Sequence, residues 1–252
     1  MSIKIAISNH KGGVGKTTST LNIGAGLALE GKKVLLVDLD AQANLTQCCG
    51  LENPETTIYG AFRGEYPLTP YQIHDKLHLV ASCLDFAGIE LEIGGKMGRE
   101  RFLTKLLAPL IDQYDYILFD CPPSLGLITV NAFCAADKVY IPLQAQFLAL
   151  HGLDKLIEVI KMVRDEKLNP QIDIEGVFVT QYDKRKVLNR DISESVRTYF
   201  KEKVFETIIR DNVALAEAPA SSQDIFAYAP DSPGAKDYKD LVTEILKRNK
   251  TK

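Results

Sequence analysis

Residues 3–18 read IKIAISNHKGGVGKTT, an apolar β-branched run that breaks into a glycine-rich loop and then enters a helix-forming stretch. The loop nearly spells G-x-x-x-x-G-K-[ST], with Gly15, Lys16 and Thr17 in place. His10 stands where the first glycine belongs, and a second lysine, Lys11, lies inside the loop. After a strand, glycines let the backbone curl so that successive N–H groups point inward, and the next helix adds its positive end. Gly12, Gly13 and Gly15 supply that freedom, with Val14 and Thr18 completing the stretch. Lys16 is expected to reach the β and γ phosphates of a bound polyphosphate, and the Thr17 hydroxyl to ligate Mg²⁺. Two lysines held close together repel each other unless an anion neutralises them.

Outward from the loop, short apolar runs alternate with amphipathic segments along nearly the whole chain. Strands are expected at 3–8, 34–38, 77–81, 116–120, 138–142, 176–180 and 204–208. Several, such as VLLVD and YILFD, are apolar at every position, as in strands covered on both faces of a parallel sheet. Helices are expected at 17–30, 99–110, 125–135, 152–167, 190–201 and 238–247. The alternation predicts an α/β fold, a doubly wound, mostly parallel sheet with helices on both faces and ligands at the strand carboxyl ends. Residues 53–74, with Pro54, Gly60, Gly64, Pro67 and Pro70, read as a surface loop. At 252 residues and 46% hydrophobic content, one domain spanning 1–252 is expected.

Two carboxylate segments belong with the loop. YILFDCPPS puts Asp120 at the end of an apolar strand, the position of an aspartate that holds Mg²⁺ through water. VLLVDLDAQAN ends in Asp38 and Asp40, whose i, i+2 spacing sets both on one side if the strand continues. Buried carboxylates without a nearby cation are strained, so a metal or an ordered water is implied.

The net charge of −3 gives no whole-molecule attraction for nucleic acid, so an anionic partner needs a local basic patch. No secretory pattern and no apolar stretch of roughly 20 residues appears, and a cytoplasmic location is expected. The five cysteines, Cys48, Cys49, Cys83, Cys121 and Cys134, contain no C-x-x-C pair, which disfavours a disulfide framework or a zinc site.

KGGVGKTT, VLLVDLDAQAN, ILFDCPPSLGLITVNAF and the later VFETII, NV and EAP together resemble the ParA/Soj branch of the deviant Walker A ATPases, relatives of MinD and of the nitrogenase iron protein. The resemblance runs from Ile3 to the C-terminal helix. It implies a P-loop fold, Mg²⁺-dependent ATP hydrolysis, and an ATP-dependent homodimer in which Lys11 crosses to the nucleotide phosphates of the neighbouring subunit. It further implies that Asp40 orients the attacking water, that Asp38 belongs to the Mg²⁺ and switch shell, and that Arg210 and Asn212 contact adenine. The implied biology is DNA partitioning: non-specific binding to double-stranded DNA, release stimulated by a ParB-like partner, and nucleoid association. Two stretches depart from the family pattern. D-P-Q-G-N is D-A-Q-A-N here, and I-P-R-N-V-R-L-S-E-A-P is IRDNVALAEAP, so Asp211 and Ala214 replace two usual basic residues.

A basic patch remains elsewhere. Residues 182–203, YDKRKVLNRDISESVRTYFKEK, carry seven basic side chains against four acidic ones, a local charge of +3. On a helix Ile192, Val196, Tyr199 and Phe200 form the expected buried stripe, leaving Arg190, Arg197 and Lys201 on another face; Arg185 occupies a position that the family uses for DNA. A MinD-like, membrane-associated alternative needs the tail YKDLVTEILKRNKTK to lie on lipid through Tyr238, Leu241, Val242, Ile245 and Leu246. A redox role needs paired cysteines beside Cys121.

Overall fold

The structure is a computed structural model describing residues 2–146 and 153–250. Seven strands, β1 (Ile3–Ile7), β2 (Val34–Asp38), β3 (Tyr71–His74), β4 (Leu77–Val80), β5 (Tyr116–Asp120), β6 (Lys138–Gln144) and β7 (Ile174–Thr180), form one sheet in the order β3-β4-β2-β5-β1-β6-β7. All neighbouring pairs are parallel except β3 with β4. β1 comes first in the chain yet lies near the sheet centre, as a doubly wound topology requires. The all-apolar strands are explained by the layers. On β2, Leu35 and Val37 enter one core cluster while Val34 and Leu36 enter the other, on opposite faces. The full burial of Leu36 makes Leu36→Ala worth about 2–5 kcal/mol in stability.

Helix α1 (Lys16–Leu29) lies on one face and is held close by two glycines. A Cβ on Gly24 would come within 2.6 Å of Leu36 Cδ2, and one on Gly26 within 2.8 Å of Val242 Cγ2. The C-terminal helix Pro233–Lys250 packs there through Tyr238, Leu241, Val242 and Ile245, all buried. The stripe that the membrane alternative needs is therefore part of the core. No helix among the described residues is long and apolar enough to cross a membrane.

The structure differs from the sequence reading in four places. Residues 53–74 are not a bare loop: they hold the helix Ile58–Arg63, which buries Ile58, Ala61 and Phe62, and the antiparallel edge strand β3. Residues 204–208 form no strand beyond a Val177–Val204 bridge. Phe205 N and Ile209 N do donate to β7 carbonyls, but Glu206 N and Thr207 N donate to the Glu244 carboxylate instead, which interrupts the ladder. The 99–110 helix splits into a 3₁₀ turn Arg99–Arg101 and the helix Phe102–Leu107. On the helix Val187–Phe200, Asn189, Ser193, Val196 and Phe200 are buried, whereas Tyr199 is exposed. The 152–167 helix is present over Leu153–Asp165, and Gly152 lies outside the described residues.

Candidate functional site

Parallel strands bring their carboxyl ends to one edge, and the loop 8–15 leaves β1 there. Register makes Asp120 a neighbour of both Ile7 on β1 and Asp38 on β2, so two carboxylates meet beside the loop. Gly13 and Gly15 have φ of 72° and 87°, left-handed values that cost a side-chain-bearing residue about 1–2 kcal/mol. The loop is fastened from neighbouring strands: Asn9 Nδ2 donates to Pro142 O at 2.8 Å, Thr180 Oγ1 to Val14 O at 2.8 Å, and Gln181 Nε2 to Gly13 O at 2.7 Å. Gln144 Nε2 in turn donates to Gln181 Oε1. Asn9, Thr180 and Gln181 carry no motif of their own in the sequence; only their places at strand ends mark them.

The two loop lysines part company. Lys16 is buried and donates to Lys11 O at 3.2 Å; burial lowers the pKa of its ammonium, with Asp120 opposing. Lys11 reaches out of the loop, its Nζ 2.8 Å from Gln146 Oε1. Thr17 Oγ1 donates to Asp120 Oδ2 at 2.7 Å. Asp120 and Asp38 are both buried, and desolvation is the main force raising both carboxyls above the usual carboxylate range; at Asp120 the neighbouring Asp38 adds to it. Asp38 nevertheless accepts from Asp40 N at 3.1 Å, Thr46 N at 2.9 Å and Thr46 Oγ1 at 2.7 Å. Asp40 accepts from Gln42 N at 2.9 Å.

The residues fit a nucleotide and a divalent cation. A threonine hydroxyl and a buried carboxylate in contact, with a second carboxylate alongside, are hard oxygen donors of the kind Mg²⁺ takes. A cavity of about 280 Å³ beside the loop is lined by Gly15, Thr18, Thr180, Asn212, Leu215 and Tyr238, among others. Asn212 Oδ1 is buried there without a hydrogen-bond partner among the described residues, an acceptor free for a ligand donor. Arg210 also lines this cavity, but its guanidinium is engaged by Asp237, with Nη2–Oδ1 at 2.6 Å and Nε–Oδ2 at 2.9 Å. That bond ties the 209–212 segment to the C-terminal helix.

Two of the four basic candidates are engaged by neighbouring groups. Arg185 is 85% exposed, yet forks onto Asp183 with Nε–Oδ1 and Nη2–Oδ2 both at 2.9 Å; the contact holds the Asp183 carboxyl down at about 2. Arg197 is half-buried, paired with Glu206 Oε2 at 3.0 Å and bonded to Phe205 O and Glu206 O. Arg190 and Lys201 are exposed. The five cysteines are free thiols, and Cys121 is buried, where desolvation raises its pKa far above that of an ordinary thiol.

Residues 2–174 match a family model described as an AAA domain. Over 247 residues the chain is 43% identical to the chromosome-partitioning ATPase Soj of Treponema pallidum, with 96% of each chain aligned. It is 42% identical over 246 residues to the sporulation initiation inhibitor protein Soj of Bacillus subtilis, covering 96% of this chain and 97% of that one. Its fold is similar to that of a cobyrinic acid a,c-diamide synthase from Mycobacterium smegmatis solved with ADP and magnesium, at a TM-score of 0.87 and 31% identity over 99% of this chain and 96% of that chain. With its P-loop, its paired strand-end aspartates and matches of this extent, the chain belongs to the ParA/Soj family of partitioning ATPases.

Proposed function

We propose that this ATPase works as one domain over residues 1–252, as a homodimer assembled by ATP, that binds double-stranded DNA without regard to sequence and lets go when a ParB-like partner stimulates hydrolysis. Its place would be the cytoplasm, on the nucleoid. Gly12, Gly13, Val14, Gly15, Lys16, Thr17 and Thr18 bind the phosphates; the free Asn212 acceptor suits the exocyclic amine of adenine, with Arg210 supporting that wall. Thr17 and Asp120 would hold Mg²⁺, with Asp38 behind them. When bound, Mg²⁺ neutralises charge on the β and γ phosphates. Asp40 orients the attacking water, and Arg185, Arg190, Arg197 and Lys201 contact DNA phosphates.

The observation that carries the dimer is the division of labour between the lysines. Lys16 is buried in its own loop, whereas Lys11 Nζ reaches outward to Gln146, on a side where a second subunit can present its phosphates. A cation supplied from a partner stabilises charge on the transferring phosphoryl group only after association, as an arginine finger does. The test is light scattering with ATP: Lys11→Ala should bind ATP yet remain monomeric, and Asp40→Ala should accumulate a stable dimer because its phosphate contacts are intact. Normal ATP-driven dimerisation of Lys11→Ala would refute the assignment.

A further inference from the structure

The buried polar groups around Asp38 do more than fill the space behind a metal site. Its carboxylate accepts from Asp40 N on one side and from both Thr46 N and Thr46 Oγ1 on the other. One side chain thus closes the segment 39–46 at both ends. The Thr46 hydroxyl is committed in turn, because it accepts from Ser82 N at 2.9 Å. With that N–H on its lone pair, its own proton is left for Asp38. Asp38, Thr46 and Ser82 are all buried. The chain runs from the end of β2, through the start of the helix Asn44–Cys48, to the residue two beyond β4.

We propose that Thr46 is a positioning residue: through Asp38 it clasps the 39–46 segment and so fixes Asp40 for hydrolysis. This rests on the reading that Asp40 orients water in this ATPase. Three of the roughly four lone-pair sites on Asp38 are occupied by protein donors, which makes the residue a fastener of the segment first and a metal neighbour second. Without the clasp the phosphate loop is untouched, since Lys16 and Thr17 belong to α1, while the carboxylate that must meet the water gains freedom. A displacement of about 1 Å at a reacting group costs up to about a hundredfold in rate.

The experiment is steady-state and single-turnover ATP hydrolysis by Thr46→Val, which keeps the shape but removes the hydroxyl, beside Thr46→Ser, which keeps it. Thr46→Val should lose about 10- to 100-fold in kcat with KM for Mg·ATP changed less than about twofold, and Thr46→Ser should recover most of the rate. A Thr46→Val enzyme with normal kcat, a serine variant as poor as the valine one, or a loss confined to KM would each overturn the proposal. Thr46→Val leaves Ser82 N unpaired in the core and can unfold; the wild-type protein then decides by native-state hydrogen exchange. The Asp40, Thr46 and Ser82 amides should open as one cooperative unit, and independent opening would overturn the clasp. If the wild-type protein hydrolyses no ATP, the functional reading fails while the exchange result still judges the clasp.

Discussion

The nucleotide loop and the basic segment 182–203 both depend on cations, but they hold them in opposite ways. Around the loop the charges are buried and fastened by hydrogen bonds: Lys16 to its own loop, Asp120 to Thr17, and Asp38 to Asp40 and Thr46. Around the basic segment the charges are more exposed and are paired with close acids, Arg185 with Asp183 and the half-buried Arg197 with Glu206. A buried charge interacts strongly because little solvent screens it, and an exposed pair weakly because much does. The first region is built to fix one geometry. The second leaves its charge screened by solvent, so an anion would be held there only by several such groups together.

The largest effect expected from that contrast is at Lys16. Lys16→Ala removes the buried phosphate cation, and charge-assisted bonds of about 1.5–3 kcal/mol each go with it. Nucleotide affinity, read by titration calorimetry, should fall about a hundredfold or more. Retention of tight ATP binding would erase the distinction between the regions, because it would mean that the loop binds phosphate by diffuse charge alone.

Next in size is the response of the free protein to pH. Burial raises the pKa of Asp120 and of Asp38, so these groups take up protons more readily folded than unfolded. Folding is then favoured at low pH, and the advantage is lost as pH rises from the ordinary carboxylate range past neutrality. Without Mg²⁺, thermal unfolding should show stability falling as pH rises through that window. Asp120→Asn keeps an acceptor for Thr17 and should flatten the curve. A wild-type stability indifferent to pH between about 5 and 9 would show that the carboxylates are not under the strain their burial implies.

How far each region could be read from sequence follows the same division. Gly13, Gly15, Lys16, Thr17 and Asp120 lie in short local patterns, and the apolar runs of β2 and β5 announce a doubly covered sheet. The helix 58–63 and strand β3 are hidden among prolines and glycines: β3 alternates half-buried and exposed residues at the sheet edge, so it lacks the continuous apolar signal of the central strands. The failed strand at 204–208 depends on Glu244, which takes its amides from 37 or more residues away. Tyr199 has a helical spacing that fits a core stripe, yet Asn189 is buried in that row because it bonds to Ala145 O at 2.6 Å and to Asp183 N at 2.8 Å. The ties of Asp38 to Thr46 and of Arg210 to Asp237 likewise join segments whose nearness only the folded chain reveals. What sequence misses here is polar pairing across distance, since side-chain hydrogen bonds carry no periodicity.

The smallest expected effect lies at Asp183, and it bears on what the exposed region is for. Arg185 presents the same two-pronged fork to Asp183 that it would offer a DNA phosphate, so under the proposed function the carboxylate would compete with the duplex. Arg185→Glu should weaken ATP-dependent binding to every DNA sequence alike and lower the salt slope by about 0.9 for each phosphate that is no longer neutralised, leaving unstimulated hydrolysis unchanged. Asp183→Asn is the subtler probe. It keeps Oδ1, which accepts from Arg185 N at 3.0 Å, and so preserves the turn while removing the competing charge. Because exposed pairs couple by only about 0.2–1 kcal/mol, affinity should rise about two- to fivefold, and the rise should vanish in the Arg185→Ala background. Fluorescence anisotropy of a labelled random duplex at several salt concentrations reads both. If Asp183→Asn strengthens binding equally with or without Arg185, the gain is a general charge effect, and the fork is not where DNA is held.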